Sequence, residues 1–288
     1  MARTIFPNFL FSAKINKLHF MVPIFFAVLI STIFAQFVLL AEPFRDSTAL
    51  FDGIGEFFVA LNILIITLMS ITSLFIFFRI FKKRREFALR ILVAAFILGG
   101  VLSTLLFGKL VFKLLGLASP LFLLVVAIVA YIGAYFAYLV MVDALSDRIK
   151  NLLFVICSGA LGSFLGVLLP AVPVVGISLF LSVLDSVLIK RKTVESIVGE
   201  ETYEKLVTDV AFANQEWGIG IGDLTCYAMV VSNTLVNFGI FAGGLSLLLI
   251  LVGSFLSMVL TIRMVRLPGL PIPVALGLLP SITLLFFL

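Results

Sequence analysis

The chain has 288 residues, 62% hydrophobic and 12% charged, where ordinary soluble domains run at roughly 45–50% apolar and about 25% charged. With a mean hydropathy of +1.29 it lacks the polar surface to cover a compact core in water, and its 31 Phe are the opposite of a disordered composition. The net charge of +5 does not indicate nucleic acid, because the basic residues are distributed by membrane topology; the lipid bilayer is the expected surrounding.

A helix needs about 20 mainly apolar residues to cross a bilayer. The first run, 20–40, is longer than a signal-peptide core of about 7–15 residues and lacks its small-residue cleavage site. His19, the single histidine, stands at its basic edge beside Lys17 and reads as an interfacial residue. Further runs follow at 57–80, 91–107, 120–141, 152–172, 173–189, 218–236, 238–262 and 270–288, which makes nine spans. The fifth and sixth are separated only by Pro170-Ala171-Val172-Pro173, where proline supplies the break. Cys157 and Cys226 lie within apolar runs and read as small packing residues. One His and two Cys are too few for a zinc site, so no metal and no cofactor are expected.

Placing the amino terminus inside puts 17 of the 20 Lys and Arg residues on the inner side, leaving only Arg45, Lys109 and Lys113 outside. The positive-inside rule therefore predicts an inner N-terminus and, with nine spans, an outer C-terminus. The stretch 190–217 is the one loop long enough to carry structure. In it Tyr203, Leu206, Val207 and Val210 recur at helical spacing, which predicts a short amphipathic helix at the inner surface.

Of the 15 acidic residues, only Asp185 and Asp223 fall clearly within spans. A carboxyl in a bilayer is costly unless paired, protonated or facing water, so each is a functional candidate. Asp185 lies five residues before Lys190, or roughly 7–8 Å at the helical rise. Asp223 lies six residues after Trp217, or about 9 Å. The two carboxyls are thus expected at matched depth near the inner face. Gly218, Gly220 and Gly222 precede Asp223 and are expected to weaken the helix start and admit another backbone close to the acid. Four of the ten prolines cluster between Pro268 and Pro280. Irregular backbone there is tolerated at membrane depth only where it is buried in protein or lines a cavity.

Gly220-Ile221-Gly222-Asp223, with Tyr227 after it, resembles the GxGD motif of the presenilin and signal peptide peptidase family of intramembrane aspartyl proteases. Pro268-Gly269-Leu270 looks like the family's Pro-Ala-Leu motif, with Pro271-Ile272 following. Asp185 occupies the place of the aspartate in its Tyr-Asp motif. Leu184 stands where the family has tyrosine, and Gly269 where it has alanine, so Gly269→Ala is expected to be tolerated.

The resemblance covers the whole chain and implies an all-α, single membrane domain over 1–288. Helices one to five would occupy 1–172, and catalytic helices six to nine 173–288. It implies an endopeptidase with Asp185 and Asp223 as the catalytic pair and no cofactor. Gly220, Gly222, Leu184, Pro268, Gly269, Leu270 and Pro271 would shape the site or hold substrate. The substrate would be a transmembrane helix of another protein, unwound locally and paired as a strand beside Pro268–Pro271. The inner N-terminus resembles presenilin rather than signal peptide peptidase, and the short chain resembles a microbial homologue in a cell membrane. The competing reading is a proton- or ion-coupled transporter or channel built on the same acids. No internal repeat places a matching acid in the first half.

Overall fold

A computed structural model describes residues 17–40, 85–116, 119–190, 211–214, 217–263 and 269–287. These form eight helices and one short hairpin: α1 (Lys17–Leu40), α2 (Arg85–Leu114), α3 (Ser119–Val142), α4 (Asp147–Leu168), α5 (Ala171–Lys190), β1 (Ala211–Asn214), β2 (Trp217–Gly220), α6 (Ile221–Phe238), α7 (Ile240–Arg263) and α8 (Pro271–Phe287). The architecture is all-α apart from the hairpin. Five of the described helices, α1 to α4 and α7, are long and apolar enough to cross a membrane; α5 and α8 are shorter apolar helices. The chain is an integral membrane protein. The expected span 57–80 and the expected amphipathic helix around Tyr203–Val210 lie outside the described residues.

The predicted break between the fifth and sixth spans is present. Helix α4 ends at Leu168, Leu169 is extended, and α5 begins at Ala171. Proline at 170 has no amide to continue the α4 ladder. The freed carbonyls find another donor: Asn233 Nδ2, on α6, donates to Gly166 O at 2.7 Å and to Leu169 O at 2.8 Å.

The seventh predicted span is corrected at its start. Residues 217–220 are not helical; they form β2, antiparallel to β1, with Ala211 opposite Gly220 and Asn214 opposite Trp217. Helix α6 begins only at Ile221, so counting depth from Trp217 at a helical rise does not apply. Alternation of Gly with Trp and Ile suits an extended chain, where side chains point to opposite faces.

Helix α6 is the central element, packed by α1, α4, α5, α7 and α8. Its buried residues are mostly apolar but include Ser232, Asn233 and Thr234. Lipid solvates apolar surface, so such polar side chains are placed inside the bundle, where they bond to neighbouring helices. Contact with α4 is close because α4 offers small residues there. A Cβ on Gly162 would overlap Thr225 O, and one on Gly166 would overlap Ser232 Oγ. One turn earlier on the same face of α4, a Cβ on Gly159 would overlap Ala27 O of α1. Ser31 of α1 donates to Ala228 O at 2.7 Å, and Ser163 of α4 donates to Ser31 O at 3.2 Å. Cys157 and Cys226 are free and buried, as expected.

Helices α7 and α8 pack in the same manner. Gly253 leaves room for Pro273, Ser246 donates to Gly277 O at 2.7 Å, and Thr234 bonds Ser281 at 2.6 Å. At the far side α2 and α3 are joined by Arg90, which bonds Asp143 at 2.8 Å and Met141 O at 3.3 Å. That pair is largely solvent-facing and contributes little stability.

Candidate active site

Two carboxyls reach the site from neighbouring helices. Asp185 lies five residues before the end of α5, and Asp223 lies in the first turn of α6. The segment immediately before α8 meets both. Leu270 N donates to Asp185 Oδ2 at 3.2 Å, and the Gly269 amide faces the same carboxyl. A Cβ on Gly269 would stand 3.0 Å from Asp223 Oδ2. Both acids therefore converge on two consecutive residues, and each is partly accessible.

The segment 269–270 is positioned by its own chemistry. Prolines at 271 and 273 sit in the first turn of α8, where their missing amides leave no helical bond unmade. The helix closes its first turn with Val274 N bonded to Leu270 O at 3.1 Å. Gly269 O, ahead of that turn, accepts from Tyr227 Oη of α6 at 3.0 Å. The irregular backbone is thus held inside the protein, as membrane depth requires.

The remaining expected site residues divide clearly. Leu270 is buried at 7% exposure, and Pro271 opens α8 behind it. Gly220 caps α6 in an extended conformation, and a Cβ on it would make ordinary contact with Asp223 at 3.4 Å. Gly222 is exposed with open space around it, so no close backbone approach requires it. The expected approach of another backbone occurs at Gly218 and Gly220, which pair with β1, and a second backbone, at Gly269, comes up to the Asp223 carboxyl. Leu184, 40% exposed, turns outward beside Asp185. Pro268 lies outside the described residues. Among the described residues no cluster of three His, Cys, Asp or Glu side chains is arranged to hold a metal ion.

Sequence reasoning missed the hairpin that delivers the chain to Asp223, and it gave Tyr227 no structural task. Only the alternation of Gly with Trp and Ile in Trp217–Gly220 hinted at a strand; Ala211–Asn214 does not alternate, and Gln215-Glu216 is not a standard two-residue turn sequence.

No family model and no curated protein matches the sequence. Solved structures do. The structure of a presenilin family intramembrane aspartate protease in its P2 crystal form aligns with a TM-score of 0.57 at 18% identity, covering 94% of this chain and 98% of that one. A presenilin family intramembrane aspartate protease in the C222 form gives 0.53 at 16% identity, covering 95% and 100%. The chain shares its fold with a presenilin-family protease. At this identity the likeness is one of fold, along nearly the whole length of both chains.

Proposed function

We propose that this presenilin-like chain is an intramembrane aspartyl endopeptidase, with Asp185 and Asp223 as its catalytic pair. The observation that carries the reading is the convergence of two intramembrane carboxyls, from different helices, on Gly269–Leu270. Two carboxyls that meet at one strap would not both ionise readily in an apolar setting, so the reading has the pair share one proton. One carboxyl takes a proton from water as it attacks, while the other donates to the scissile carbonyl. Titration belongs to the pair, so neither acid is assigned a fixed role.

The substrate class follows from the setting. A transmembrane helix must unwind for water to reach a peptide bond, and its freed amides and carbonyls then need partners. Extended backbone at β2 and the non-helical residues Gly269 and Leu270 lie by the two acids and suit pairing with such a strand. Gly220, Gly222, Leu184 and Pro271 border that path. Helices within 173–288 carry the chemistry, while those within 1–172, chiefly α1 and α4, brace α6. Nine spans with an inner N-terminus and outer C-terminus, in a microbial cell membrane, complete the reading.

Purified protein incubated with a transmembrane peptide tests this. Hydrolysis that stops with a hydroxyl-bearing aspartyl-protease transition-state inhibitor is the expected result. Ion flux into liposomes without any peptide cleavage would replace the protease with a transporter.

A further inference from the structure

The peptide unit between Gly269 and Leu270 is gripped at both edges. Its carbonyl accepts from Tyr227 Oη at 3.0 Å, and its N–H donates to Asp185 Oδ2 at 3.2 Å. A trans peptide is planar, with its N–H and C=O on opposite sides. Tyr227 and Asp185 therefore hold one rigid plane from opposite directions. Turning that plane over would break both bonds and aim a carbonyl oxygen at the Asp185 carboxyl.

Tyr227 lies four residues after Asp223, one turn further along the same face of α6. It is buried at 3% exposure, where a phenylalanine would fill the same volume. The hydroxyl is what distinguishes it, and its acceptor is the strap between the two acids.

The geometry points to Tyr227 as a positioning residue for Asp185, acting through the 269–270 peptide and resting on the protease reading above. Helix α6 then supplies one carboxyl directly and orients the other at one remove. Direct packing brings α5 and α6 together, and this plane adds a directional link from the Tyr227 hydroxyl to the Asp185 carboxyl.

Tyr227→Phe keeps the packing and deletes only the hydroxyl. With a transmembrane peptide as substrate, kcat is expected to fall about 10–100-fold, the scale of a 1 Å misplacement. KM should stay within about two-fold, because uniform binding is untouched. Affinity for a hydroxyl-bearing transition-state inhibitor should fall by the same factor as kcat, with the melting temperature kept. An unchanged kcat in the folded variant overturns the inference while leaving the protease reading intact. A variant that fails to fold, or loses KM and stability together, also overturns it, because Tyr227 is then a structural residue. Absence of cleavage by the wild-type protein sinks the protease reading itself, and this inference with it.

Discussion

Leu270 commits both its backbone and its side chain: the amide bonds Asp185, and the side chain is 7% exposed beneath the strap. Leu270→Arg would force a long charged side chain into this space, where a buried charge without a built partner is expensive. Cleavage should be lost while the variant still inserts in membranes, measured by peptide hydrolysis alongside membrane fractionation; wild-type turnover would contradict the role of this segment. Gly269→Ala tests the neighbouring residue more gently. Its Cβ would press on Asp223 Oδ2 at 3.0 Å, and the carboxyl can yield by rotating a few tenths of an ångström. We expect a folded enzyme with reduced cleavage, by less than the about 100-fold that a 1 Å displacement costs; the free tolerance implied by the family resemblance is thereby narrowed. Asp185 and Asp223 were legible in the sequence because a charge within an apolar run violates the bilayer's rules. Tyr227 was not, since an aromatic residue in a membrane helix reads as packing and its acceptor lies 42 residues away.

Helix ends tell a similar story at the next scale. The break after α4 was legible because Pro170 removes an amide, whereas the donor that satisfies the freed carbonyls was not. Asn233 lies in another helix, 67 residues from Gly166 and 64 from Leu169, a separation no local pattern reveals. Asn233→Leu should leave both carbonyls without that donor in an apolar interior. Each lost buried bond costs about 1–3 kcal/mol, so the melting temperature in detergent should fall by several degrees. An unchanged melting temperature would show that other groups satisfy this end of α4. The start of α6 was misread for a different reason. Glycine alternation next to an apolar run is compatible with a weak helix start or a strand, and pairing with Ala211–Asn214 decides for the strand. A helical count through such glycines inevitably misplaces the residues beyond them.

The described helices enclose a mostly apolar core that also takes in the Ser, Thr and Asn of α6, while their outer faces expose Leu, Phe and Val. Hydropathy located α6, as the run 218–236, along with the other spans, while its acid and its buried polar residues single it out. The charge distribution predicts the orientation: single cysteines at Lys192 and Leu288, introduced after replacing buried Cys157 and Cys226, should label from the inner and outer sides respectively. Labelling of position 192 from outside would invert the topology. The central claim concerns one pair of side chains, and Asn keeps the size of Asp without its acid–base chemistry. Peptide cleavage and melting temperature should therefore be measured for Asp185→Asn, Asp223→Asn and the double variant in one detergent. Either single change should abolish hydrolysis with the fold retained, and the double should be no worse, because residues acting as a unit are non-additive. Substantial cleavage by either folded single variant would contradict the catalytic pair.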